Sequence, residues 1–208
     1  MYHSNSDIEE LFFRALFWIA GVSSSDEYIN LLHEIYMKPE NEDNDLLFEL
    51  ENCTKDPDET RRIFIGEMSN TERYSDEAIV QGYLNALGEL FQRTHSVLDS
   101  LAAYVVTSQI LDLLPQDIRY NSRMSHLDRA AEFCDFTIMT EEAVYKDFMD
   151  AVYSDLDEDK KTALVEQALV HDRYAIIKIQ EDRGQCFYND VYKKKDSLKD
   201  KLAFWRRK

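Results

Sequence analysis

Four of the six residues from Glu40 to Asp45 are carboxylates: Glu40, Glu42, Asp43 and Asp45. Glu49 and Glu51 follow within one helical turn or two. A second cluster, Asp155, Asp157, Glu158 and Asp159, is as dense. Carboxylates at this spacing have three chemistries open to them: holding a hard cation, working as an acid–base pair, or attracting a basic surface. A calcium loop needs a glycine at its sixth position for the sharp turn, and neither cluster has one. In a chain with 41 acidic residues, two carboxylates near each other say nothing about acid–base catalysis. Attraction of a basic protein remains, because a dense like-charged patch without local countercharge steers an opposite partner. The residues of the first cluster are the leading candidates for partner contact, and those of the second are the runner-up patch.

The other reactive side chains form no constellation. His3, His33, His95, His126 and His171 are scattered, none four residues from another and none three after a Glu. The helical di-iron pattern is therefore absent. There is no Gly-x-Ser-x-Gly and no phosphate-cradling glycine loop, so neither a serine nucleophile nor a nucleotide cofactor is expected. Cys53, Cys134 and Cys186 are widely separated and odd in number, which reads as free thiols in a reducing compartment. Cys134 and His126 would lie two turns apart on one helix, too far to form a catalytic pair. The expected protein has no cofactor, no metal and no catalytic residue.

The net charge is −17, and it is unevenly placed. Asp26 to Glu59 holds twelve acids against Lys38 and Lys55. Residues 184–208 reverse the sign, with eight Lys and Arg against three Asp. A field of this sign repels nucleic acid and anionic membrane. Leu11 to Val22 is apolar but too short to span a bilayer, and no basic stretch precedes it. The expected location is cytoplasmic.

These side chains need elements to hold them, and the composition says which kind. Five Gly and three Pro in 208 residues are too few for sheets and tight hairpins. The expectation is a single all-α domain over residues 1–208, made of antiparallel helix pairs, with an irregular helical stack as one arrangement of them and 185–208 a basic C-terminal helix. Ser6 and Glu9 form a capping box before a helix whose Phe12, Phe13, Phe17 and Trp18 add a second apolar face, so this helix should be central. Ser24, Ser75, Thr140 and Asp157 each precede an apolar periodic run as N-caps, and Pro57 suits a first helical position. Gly82 and Gly88 inside a strong helix suggest the close approach of a neighbour. Leu16, Ile19, Leu31, Leu84, Leu87, Leu101, Val105 and Phe148 are expected to be buried. Tyr174 to Ile179 favours helix, with a short strand as the alternative, and Gly184 should end it. Tyr188, Tyr192, Phe204 and Trp205 on a basic helix are suited to stacking bases, but the acidic body argues against nucleic acid. They are expected to dock on the core, their lysines answering that acid.

The stretch from Leu16 to Thr54, LFWIAGVSSSDEYINLLHEIYMKPENEDNDLLFELENCT, resembles a pattern in bacterial polymorphic-toxin immunity proteins: an apolar helix, a second helix, an acidic loop, and an apolar run closing on an acid. Tyr83–Asp112 is similar to the helix pair that follows in that family. Where the family carries a Trp and an Arg-Ile-Leu-Asn-like ending, this chain has Tyr104 and Ser108-Gln109-Ile110-Leu111-Asp112. The resemblance covers about half the chain. It implies a small cytoplasmic protein that binds and blocks one cognate toxin.

Residues and resemblance together point to an acidic binding protein, not an enzyme. Its partner would be a basic toxin or effector, such as a nuclease whose groove an acidic helical surface can fill. The alternatives are an acidic adaptor, secretion chaperone or phage-encoded inhibitor, and a helical hydrolase with a non-obvious site.

Overall fold

The computed structural model describes the backbone of residues 5–188 and the side chains of residues 7–182. The chain runs α1 (Asn5–Ile19), α2 (Ser25–Tyr36), α3 (Asp45–Asn52), α4 (Pro57–Met68), α5 (Asp76–Thr94), α6 (Val97–Leu111), α7 (Ser122–Glu132), α8 (Glu141–Val152), α9 (Glu158–His171) and α10 (Arg173–Tyr188). Short 3-10 turns fall at Pro39–Asn41 and Ile118–Tyr120, and no strand occurs among the described residues. The helices begin where polar side chains close their first turn. Asn44, Asp56, Ser75, Ser96, Thr140 and Asp157 each accept the backbone N–H three residues on, at 2.9–3.3 Å. Each such cap stabilises its helix by about 1 kcal/mol.

Helix α1 is the hub of the first half. It packs against α2, α4, α5 and α6 because it is apolar on two faces. Phe12 meets Phe64 of α4 at 5.6 Å between ring centroids, and Phe13 meets Tyr83 of α5 at 6.1 Å. Gly82 is where α5 lets α1 in: a Cβ there would overlap the ring edge of Phe13. Gly88 does the same for the end of α8, since an added Cβ would lie 3.0 Å from Val152 Cγ1, and the Tyr153 hydroxyl donates to the Gly88 carbonyl at 3.0 Å. α5 and α6 therefore join the α1 cluster to the α7–α8–α9 cluster in one hydrophobic core. The Tyr83 and Thr107 hydroxyls, 2.6 Å apart, fasten that central pair.

Several expectations need correction. Val105 is exposed, while Ile19 and Leu31 are half-buried. Helix α6 is apolar nearly all round, so its pattern does not say which side faces inward. The buried side is Val97, Leu101, Tyr104, Thr107 and Leu111, and Val105 stands opposite. Helix α1 starts at Asn5, one residue before Ser6, within the usual fraying of a boundary. Residues 174–179 are helical, but α10 continues past Gly184 to Tyr188. A glycine inside a helix costs only about 1 kcal/mol relative to Ala, too little to stop it. Helix α7 ends at Glu132, so Cys134 does not share a helix with His126. The basic segment expected over 185–208 lies beyond residue 188 for the most part, outside the described residues. No helix among the described residues is long and apolar enough to cross a membrane.

Candidate acidic interface

The Glu40–Glu51 segment is ordered by the residues between its acids. Asn41 is buried and donates through Nδ2 to the Ile35 carbonyl at 2.7 Å, pinning the turn to the end of α2. Asn44 caps α3, and Leu47 and Leu50 are fully buried. Positions 41, 44, 47 and 50 thus point inward at a three-residue spacing. Glu40, Glu42, Asp43, Asp45 and Glu49 are left exposed. None of these five makes an ion pair among the described residues. Phe48, between Asp45 and Glu49 in the sequence, is 57% exposed. Glu51 differs. It is half-buried and its Oε1 meets His33 Nε2 at 2.7 Å, while its Oε2 is buried without a hydrogen-bond partner. Glu51 is turned toward α2 and ties α3 to it.

Half of the second cluster is paired within the fold. Asp157 caps α9 and pairs with Lys160 at 2.8 Å. Glu158 meets Lys146 at 3.1 Å and Lys161 at 3.3 Å. These hydrogen bonds hold the carboxyls of Asp157 and Glu158 below the ordinary range. Lys161 is itself buried and pairs with Asp150 at 2.9 Å. Asp155 and Asp159 are exposed. The sequence motive for this patch, acid without countercharge, therefore applies to only part of it. The three lysines that answer it sit on α8 and α9, one of them a turn or more away in another element.

One titratable cluster escaped the sequence reading. His126 of α7 and Asp147 and Asp150 of α8 offer three ligand atoms within 4.8 Å of one another. No sequence spacing joins them, because the cluster forms only when α7 packs on α8. Its carboxylates are already occupied. Arg129 grips Asp147 with two hydrogen bonds, Nε to Oδ2 and Nη2 to Oδ1, and Lys161 holds Asp150. A cation placed there would face a guanidinium and an ammonium. Burial alone would raise the Asp147 carboxyl, but the hydrogen bonds and charges of Arg129 and His126 outweigh it and hold the carboxyl below its ordinary value. The cluster is a clasp between two helices.

The two described cysteines, Cys53 and Cys134, are equally unsuited to attack. Cys53 is buried, with its Sγ 3.4 Å from both the Leu50 carbonyl and Thr60 Oγ1. Cys134 is half-buried. Burial pushes both thiols up, away from the thiolate that a nucleophile needs. Compared with known proteins, the chain matches no family model, and no curated protein or solved structure is significantly similar to it.

Proposed function

We propose that this protein is an acidic binding module that takes a basic protein partner on the Glu40–Glu49 surface and covers it, as a toxin-neutralising protein would. The observation that carries this reading is five exposed carboxylates without an ion pair among the described residues, on one segment that also exposes Phe48 and is held in place by Asn41 and Asn44. Each part has a physical use. Unpaired acid gives a long-range field that speeds encounter with a basic surface. A central aromatic side chain supplies the desolvated contact that slows departure. A pre-ordered segment spares the entropy of arranging it on binding. The toxin-neutralising form of the proposal draws on the resemblance carried by residues 16–54.

The test is differential capture. The natural chain and a Glu42→Lys, Asp45→Lys, Glu49→Lys variant are immobilised, with circular dichroism showing both folded. A basic protein should be retained by the natural chain at low salt and roughly tenfold less by the variant. Equal retention by both chains, unaffected by salt, would defeat the proposal.

A further inference from the structure

Helices α5 and α9 both pack on α8, and an open apolar groove of about 990 Å³ lies between the end of α5 and α9. Phe91 and Ala168 are its buried side chains, Tyr153, Leu156 and Leu164 are half-buried along it, and Val170 is exposed. The Tyr153 hydroxyl already donates to the Gly88 carbonyl at 3.0 Å, so this ring adds apolar surface. No Asp, Glu, Lys or Arg lines the groove among the described residues. Its polar side chains are Gln92, Gln167 and two imidazoles, His95 and His171, whose ring centroids stand 6.4 Å apart.

One of these imidazoles has a fixed role. His171 Nδ1 lies 3.0 Å from Asp172 Oδ1. Asp172 is only 4% exposed, and its other oxygen, Oδ2, accepts from the backbone N–H of Val97 and Leu98 and from the Tyr145 hydroxyl. A carboxylate accepts and cannot donate, so Nδ1 carries the hydrogen of the neutral ring and the lone pair falls to Nε2. Nε2 has no hydrogen-bond partner among the described residues. A groove of this size suits a small molecule, and its lining selects the chemistry. An anion would meet a chain of net charge −17, with no lysine or arginine in the lining to hold it. A cation would lose its hydration against apolar walls that offer no carboxylate. A neutral molecule with a hydroxyl donor suits both the walls and Nε2. We propose that the groove is a binding site for a neutral, mainly apolar molecule carrying one hydroxyl, of the alkylphenol class. Its O–H donates to His171 Nε2 while its apolar body covers Phe91, Leu164 and Ala168. The site shares no residue with the Glu40–Glu49 surface.

The probe is 4-butylphenol, and its control is 4-butylanisole, which keeps the body and replaces the hydroxyl hydrogen by a methyl group. Each is titrated into the full isotope-labelled chain and followed by backbone amide shifts. The phenol should give saturable shifts centred on residues 91–95, 153–156 and 164–171, and the ether should bind roughly tenfold more weakly. His171→Phe keeps an apolar ring and removes the acceptor, so it should bring the phenol down to the affinity of the ether. Leu164→Glu places a charge in the apolar wall and should weaken both probes roughly tenfold or more. Circular dichroism shows each variant folded before titration, and the two probes on the natural chain test the proposal even where a variant does not fold. Absence of saturable shifts at these residues would overturn the proposal. So would equal affinity for phenol and ether in the natural chain, or a preference for the phenol that survives in folded His171→Phe.

Discussion

Gly82 and Gly88 do the same job at different tightness, and substitution separates them. Alanine at either position gains about 1 kcal/mol of helix propensity. At Gly82 the new methyl meets the ring of Phe13, which is buried and hemmed in by Phe12 and Tyr83. Overpacking of that kind costs about 1–3 kcal/mol. Gly82→Ala should therefore lower the melting temperature, while Gly88→Ala, with a 3.0 Å approach to a single Val152 methyl, should change it less. A melt showing the reverse order would contradict this packing. Asp172 is a second residue-scale case. Its buried carboxylate accepts from the backbone N–H of Val97 and Leu98 and from the Tyr145 hydroxyl at 2.8–3.2 Å, so it caps α6 from 75 residues away in sequence. Asp172→Ala leaves those donors unpaired and should cost about 2–4 kcal/mol, seen in urea melts and as faster hydrogen exchange at the start of α6. The two glycines were legible in the sequence as a sign of close approach, although the same residue type in α4, Gly66, has open space beside it. Asp172 was not, because its partners lie on α6 and α8 and no local pattern contains them.

Among the elements, what the sequence revealed depended on contrast. Helices α2, α5 and α8 follow Ser24, Ser75 and Thr140 and carry one apolar face, so their starts could be read directly, although Ser24 makes no side-chain cap hydrogen bond; the Asn44 cap of α3 was not read. Helix α6 has apolar side chains nearly all round, so Val105 could not be told from Leu101 until α1, α5, α7 and α8 took up one side. The clasp between α7 and α8 was invisible for the same reason as Asp172. It makes a prediction at this scale. The Asp147 carboxyl titrates below its unfolded value, so its contribution to stability is present above about pH 4 and is lost as the pH falls through the folded value. Asp147→Asn removes a charge-assisted pair whose arginine is 49% exposed and should destabilise the fold by about 1–2 kcal/mol at pH 7. The gap between variant and natural chain should narrow as the pH falls below about 4. Urea unfolding across that range checks it, and a gap constant with pH would show that the pair contributes only through packing.

For the whole molecule, the charge of −17 was plain from the composition, but composition could not say which acids remain free. The fold decides that: Lys146, Lys160 and Lys161 answer much of the second cluster, while Glu40, Glu42, Asp43, Asp45 and Glu49 make no ion pair among the described residues. With a captured basic partner, reversing three of these charges should slow association roughly tenfold or more at low salt. Phe48→Ala should leave association nearly unchanged and speed dissociation, by about 2 kcal/mol if the ring is a hot spot. Stopped-flow kinetics would separate the two effects. The central claim, that Glu40–Glu49 is the surface a basic partner meets first, needs no cognate partner to test. A decalysine peptide titrated into isotope-labelled protein maps that surface by backbone amide shifts. The amides of residues 40–51 should move first and furthest, residues 155–159 should move little, and the shifts should vanish at high salt. Shifts centred on 155–159, or spread evenly over every acidic helix, would contradict the account.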